Sequence, residues 1–204
     1  MEFDKSVLFN ISYGLYVLTT QFGKEDNGCI INTLSQITDT PVVVSVNVNK
    51  KNYTAELISK SKKFNVSMLS TDAGFDMFQH FGFQSGRDVD KFADFEDVYR
   101  SQNGVYFVNR GTNAFISAEV DDIIDFDTHL MFVGHVTDGG RLSNRESMTY
   151  TYYQNNVKPK KKPADEGAYV CTVCGYVHEG GKPPADFICP VCKHGASYFV
   201  KMDS

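Results

Sequence analysis

Gly28-Cys-Ile-Ile-Asn-Thr-Leu-Ser-Gln36 and Pro41-Val-Val-Val-Ser-Val-Asn-Val48 are two apolar, β-branched runs separated by four residues. Runs of this length and composition read as strands. The same signal recurs on both sides, at 11–22 upstream and at 64–69, 105–108, 115–120 and 130–136 downstream. Turn signals lie between them, such as Gly23-Lys-Glu-Asp-Asn-Gly28 and Asp138-Gly-Gly140. Only two stretches carry helical spacing. One is Lys51-Asn-Tyr-Thr-Ala-Glu-Leu-Ile58, for which Asn49 is the expected N-cap, and the other is Gly74-Phe-Asp-Met-Phe-Gln-His-Phe81. Many strands and few helices predict a mainly β fold, a β-barrel with peripheral helices. No internal repeat is present.

The composition bounds what such a chain does. At 204 residues it has room for one larger and one small domain, and its 42% apolar content is that of a protein with a core. A net charge of −5 argues against nucleic acid as the main partner. The opening Met1-Glu-Phe-Asp-Lys5 lacks the basic, apolar, small-residue order of a signal peptide, and no apolar run reaches the ~18 residues of a membrane span. The expectation is a soluble, cytoplasmic protein without membrane contact.

Residues 154–167 break the pattern. Gln154-Asn-Asn-Val-Lys-Pro-Lys-Lys-Lys-Pro-Ala-Asp-Glu-Gly167 holds four lysines and two prolines and almost nothing apolar, so it is expected to be an extended linker spanning at most ~45–50 Å. It divides the chain into a large domain at 1–153 and a small one at 168–204.

The cysteines are lopsided. Cys29 stands alone in an apolar run and reads as core packing, whereas the other four of the five lie between Cys171 and Cys192. Paired C-x-x-C knuckles in an intracellular protein favour a metal over disulfides. Cys171 and Cys174, with Cys189 and Cys192, supply the four thiolates of a closed tetrahedral site suited to Zn²⁺ or a single Fe. Gly175, directly after the first pair, permits the tight turn that aims N–H groups at the sulfurs. With four thiolates at hand, His178 and His194 are expected at the surface.

The tail Tyr169-Val-Cys-Thr-Val-Cys-Gly-Tyr176 with Cys189-Pro-Val-Cys192 resembles rubredoxin, and Tyr169, Tyr176, Phe187 and Phe199 fit the small aromatic core of that family. The resemblance implies one Fe per chain and a one-electron step. Two departures stand out: the interval between the pairs is short, as in the tails of rubrerythrins, and Phe187 occupies a place where tryptophan is usual. A zinc ribbon is the alternative.

The first 153 residues resemble the flavin reductase-like split barrel, a homodimeric fold that holds FMN at the subunit interface. On this resemblance Asn32, Thr33, Leu34 and Ser35 lie along the flavin ring, and Ser45, Val46 and Asn47 lie beside the ring and ribityl chain. Lys51, Asn52, Tyr53 and Thr54 open a helix whose N-terminus suits a phosphate. The segment Phe81-Gly-Phe-Gln-Ser-Gly-Arg-Asp-Val-Asp-Lys-Phe92 corresponds to a loop that approaches the flavin. Within it Arg87 is expected at the N1–O2 edge of the ring, or else in an ion pair with Asp88, Asp90 or another acid. His129 corresponds to a histidine near flavin and nicotinamide. The acidic run Asp121-Asp-Ile-Ile-Asp-Phe-Asp127 reads as a solvated turn. No Gly-x-Gly-x-x-Gly follows a strand, which excludes a Rossmann half but not this family, in which NADH or NADPH stacks directly on the flavin.

Together the two resemblances imply the architecture of the high-molecular-weight rubredoxins: an NAD(P)H oxidoreductase passing electrons through FMN to iron and on to a flavodiiron-type acceptor. Two alternatives stay open: a flavin reductase whose zinc ribbon binds a partner, and an electron carrier reduced by another protein.

Overall fold

The computed structural model describes residues 4–159, 167–173, 175–179, 181–190 and 194–201. Its frame is a seven-stranded antiparallel sheet, built from β1 (Tyr16–Phe22), β2 (Glu25–Ile31), β3 (Ser35–Asp39), β4 (Val42–Asn49), β5 (Lys63–Leu69), β8 (Thr112–Phe126) and β9 (His129–Arg141). The strands lie in the order β2-β1-β5-β8-β9-β4-β3. Two further short strands, β6 (Val98–Arg100) and β7 (Tyr106–Val108), pair only with each other. The fold is mainly β, as the strand signals predict.

The sheet curls because β2, at one edge, runs directly into β3 at the other. The hydroxyl of Thr33, in the connection, donates to the carbonyl of Asn47 (2.8 Å) and accepts from its N–H (3.2 Å). The helix α1 (Tyr53–Ser61) packs chiefly against β1 and also touches β2 and β4, burying Thr54, Ala55, Leu57 and Ile58. Leu18, Val44, Val46, Val48, Phe64 and Phe132 fill the barrel interior. Each such side chain stabilises the fold by about 1.5–3 kcal/mol relative to exposure. A second core lies outside the sheet, where α2 (Phe75–Gly82) lays Met77, Phe78 and Phe81 over Leu15, Val17 and Leu69. This is why β1 is buried on both faces.

Several expectations are corrected. The run at 28–36 is not one strand: it leaves the ladder at 32–34 and re-enters as β3, whose five residues are all exposed. The acidic run at 121–126 is no turn but the outer part of β8, paired with β9 from Asp122 opposite Val133 to Phe126 opposite His129. Its polar side chains face water, so alternation is weak and composition misleads. Gly139 and Gly140 likewise sit inside β9, where a methyl group on Gly140 would meet the Phe115 ring at 3.1 Å. The N-cap of α1 is Asn52, whose Oδ1 accepts from the Thr54 N–H (3.1 Å). Asn49 caps only the preceding turn, accepting from the Lys51 N–H (2.9 Å). The start of the 154–167 stretch is not extended: a π-helical turn spans Tyr153–Val157, with Tyr153 buried and Val157 packed in the second core.

In the tail, β10 (Tyr169–Cys171), β11 (Val177–His178) and β12 (Phe199–Lys201) form a three-stranded sheet of order β11-β10-β12. No helix among the described residues is long and apolar enough to cross a membrane.

Candidate functional site: a flavin seam and a cysteine knuckle

The strand ends expected to meet a flavin do converge. Residues 32–34 pair with no neighbouring strand, which leaves their main-chain groups for a ligand, and Ser35 stands opposite Ser45 in register. In β4 the valines at 44, 46 and 48 point into the core, so Val46, fully buried, offers a ligand only main-chain groups. Ser45 and Asn47 point the other way. His129, exposed, opens β9 opposite Asn49 and shares a hydrogen bond with the Thr128 hydroxyl through Nδ1 (2.9 Å). Strand ends, helix opening and His129 thus border one region, and the donor set fits a flavin: free main chain for a ring and an exposed lysine, Lys51, for a phosphate.

Two residues stand differently from expectation. Thr54 is fully buried, its hydroxyl turned inward to accept from the amide of Asn27 (3.2 Å), itself 2% exposed. Arg87 donates to Glu56 (2.8 Å) and lies over the Tyr53 ring, 4.6 Å from its centroid. It therefore stands at the helix opening, and its acid is Glu56 rather than Asp88 or Asp90. Lys60 and Arg87 together hold the Glu56 carboxyl below the usual range. Beside this group lies a cavity of about 620 Å³, bordered by Arg87, Tyr53, Phe92 and Tyr106 and rimmed by Glu25, Asp26, Asp88 and Asp90. Tyr53 donates to Glu25, which pushes its phenol up.

These positions predict separable effects. Lys51→Glu is expected to weaken flavin binding by about 1–3 kcal/mol through lost charge-assisted contact, with little effect on stability. Thr54→Ala is expected to cost about 1–2 kcal/mol of stability instead, because it strands the buried Asn27 amide. Flavin titration and urea unfolding of both variants separate the two.

The place of Lys91 leaves no mark in the sequence. Charged and set among aspartates, it reads as a surface residue, yet it is 3% exposed and donates to the carbonyls of Gly28 (2.8 Å) and Phe81 (2.9 Å). It ties β2 to the end of α2, at the root of the 81–92 segment. Burial lowers its pKa from 10.5 to about 8. Burial also pushes the nearby Cys29 thiol up. Between those two pH values the unfolded chain binds the Lys91 proton and the fold does not, so native stability rises across pH 8 to 10.5. Lys91→Met is expected to cost about 2–4 kcal/mol at pH 7, since it orphans two buried carbonyls. Its deficit against wild type should widen as pH rises through that window; Lys91 also holds the Cys29 thiol down, so its loss leaves that thiol raised further and acts in the same direction. Urea unfolding at pH 7 and pH 9.5 checks this.

In the tail, Cys171 (1% exposed) and Cys189 (fully buried) share one apolar cluster with Phe199, against which Tyr169, Tyr176 and Phe187 pack. Cys174 and Cys192 lie outside the described residues. The two knuckles have the same main-chain pattern. The Cys171 N–H donates to the Tyr176 carbonyl and the Cys189 N–H to the His194 carbonyl, both at 2.8 Å. Gly175, at φ +80°, returns its N–H to Cys171 O (2.8 Å), a conformation that favours glycine. His178 packs on Phe187 (centroids 4.5 Å apart) and His194 on Tyr198 (4.7 Å). Two buried cysteines in one apolar cluster, one from each C-x-x-C pair, fit a thiolate-bound metal.

Comparison with known proteins agrees with both halves. The flavin reductase like domain matches residues 8–161, and the rubrerythrin, rubredoxin-like domain matches residues 169–200. The high molecular weight rubredoxin of Moorella thermoacetica is 34% identical over 229 aligned residues, covering 98% of this chain and 100% of that one. The ferric-chelate reductase (NAD(P)H) of Archaeoglobus fulgidus is 33% identical over 166 residues, covering 81% of this chain and 97% of that one. An NADH:FAD oxidoreductase of Streptomyces globisporus, solved with NAD and FAD fragments, shares the fold with a TM-score of 0.62 at 24% identity, over 70% of this chain and 83% of that chain. The chain belongs to the flavin reductase-like family and, within it, to the high-molecular-weight rubredoxins, in which the barrel continues into a rubredoxin-like domain. It is an oxidoreductase of the flavin reductase type.

Proposed function

We propose that the protein is a cytoplasmic NAD(P)H oxidoreductase that passes electrons through FMN to one iron held by Cys171, Cys174, Cys189 and Cys192, and on to an acceptor such as a flavodiiron oxygen or nitric oxide reductase. The observation that carries this reading is the union, on one chain, of a flavin reductase barrel and two C-x-x-C pairs whose first cysteines, Cys171 and Cys189, are buried in one cluster. When bound, flavin takes hydride as an electron pair and releases electrons singly, and iron accepts one at a time.

The chain's own residues have separate tasks. The Thr33–Asn47 clamp sets the main-chain edge along which the ring lies, and Lys51 meets the phosphate. Arg87, beside Tyr53, serves the phosphate end rather than the ring's N1–O2 edge. His129, exposed at the head of β9, stands where a nicotinamide enters. The division at 1–153, 154–167 and 168–204 belongs to the same reading. So does a homodimer, which is supported by four exposed apolar side chains, Ile37, Val42, Ile124 and Phe126, on the β3-β4-β9-β8 half of the sheet.

The test is metal analysis of protein from its own host, with an anaerobic absorbance titration by NADH and NADPH. One iron per chain and reduction by either nucleotide support the proposal. Zinc would leave a flavin reductase with a partner-binding ribbon, and iron without a response to nucleotide would leave a carrier reduced by another protein.

A further inference from the structure

Phe83 is the one described side chain that packs in two cores. At the C-terminal end of α2 it belongs to the barrel's outer core, 5.8 Å from Phe75 between ring centroids, and it also packs against the cluster of Cys171, Cys189 and Phe199. Beside it a cavity of about 320 Å³ runs between barrel and tail, lined mostly by apolar and aromatic side chains, Ile30, Phe78, Phe83 and Tyr153 among them, with Gln154 and Lys158 at the start of the linker and Val173 from the tail. Val173 stands in the chelating loop directly after Thr172, inside the first C-x-x-C. Ile30 is two residues before Asn32, where the flavin seam begins. Gly82 presses so close to Ile30 that an added methyl would meet Ile30 Cγ1 at 3.3 Å. The edge of the tail that carries Cys171 therefore faces the stretch of barrel that leads into the flavin site, across a mostly apolar seam.

We propose that Phe83 is the positioning residue for electron exchange between barrel and tail, seating the Cys171 edge against the barrel. This rests on the functional reading above. The step moves one electron from reduced flavin to ferric iron; no bond forms or breaks between the two, and the proton the flavin gives up goes to solvent. Electron exchange weakens steeply with the gap between donor and acceptor. A residue that fixes the gap therefore sets the rate without touching either group. A mostly apolar seam suits this task because apolar contact seats the tail without the fixed geometry of an ion pair and so leaves it free to detach.

The chain has no tryptophan, so Phe83→Trp in the full-length protein installs a single indole at the seam. Its emission should be that of a covered indole and should shift to the red on adding Val173→Asp, the two proteins being compared at equal iron content. In stopped-flow under anaerobic conditions, Val173→Asp should slow iron reduction at least tenfold while flavin reduction by nucleotide keeps its rate. Phe83→Ala should lower the ratio of iron to flavin reduction rates in the same way, and Phe83→Leu should restore most of it. An indole emission indifferent to Val173→Asp, or an unchanged rate ratio in Phe83→Ala, overturns the proposal. A wild-type chain that holds zinc, or whose flavin ignores nucleotide, instead overturns the functional reading, and the emission arm still decides whether the seam exists.

Discussion

Cys189→Ser is expected to abolish the red absorption of the ferric site, release the metal and unfold the tail, while the yellow flavin stays in the barrel. Cys189 is fully buried in a cluster too small to stand alone: Cys171, Cys189 and Phe199 are its buried members among the described residues. A domain of this size lacks the core to pay for its chain entropy, so metal binding is folding free energy, on the order of 10 kcal/mol for a thiolate site. Serine replaces a soft thiolate with a poor ligand and leaves a buried hydroxyl among aromatic rings. The barrel has its own two cores and should keep flavin and nucleotide oxidation. Visible absorbance, metal analysis and hydrogen exchange of residues 168–201 read the outcome. Loss of flavin together with the metal would show that the two domains do not fold separately.

Cutting the chain between Lys158 and Pro163 is expected to make iron reduction depend on protein concentration. In the intact chain the tether holds the tail at an effective concentration on the order of millimolar, so reduction follows one rate at any dilution. After cleavage at micromolar protein, that rate should fall by roughly a hundredfold or more, the ratio of those concentrations. Nucleotide oxidation by the barrel fragment should survive. The cut falls just beyond the described turn Tyr153–Val157, so it spares Tyr153, which belongs to the barrel's outer core. A rate that stays concentration-independent after the cut would mean that the seam at Phe83 holds the pieces together without the tether.

Much of this was legible in the residues. The cysteine knuckles declare themselves through spacing, and the strands of the barrel interior through β-branched runs such as the one at 42–48, because burial on one face demands them. What was not legible has physical reasons. Arg87 finds its acid on α1, 31 positions away at Glu56, and no local pattern encodes that pairing. Lys91 is charged yet buried, since its partners are carbonyls of Gly28 and Phe81, which sequence does not display. The outer part of β8 packs only Ile123 against the core, and that in part, so alternation cannot reveal it. Both Asn49 and Asn52 have cap chemistry, and only the backbone shows which one the helix uses. Thr54 carries a hydroxyl at a helix opening, but the helix turns it inward.

The most direct test of the central claim is the order in which the two absorption bands bleach. The full-length protein is mixed with NADH or NADPH without oxygen and followed by stopped-flow, beside a chain stripped of its flavin. The flavin band should bleach first, and the iron band should follow at a rate independent of protein concentration. The stripped chain should show no iron bleaching until flavin is restored. Iron bleaching ahead of the flavin, or in the stripped chain, would contradict a relay that enters through the barrel.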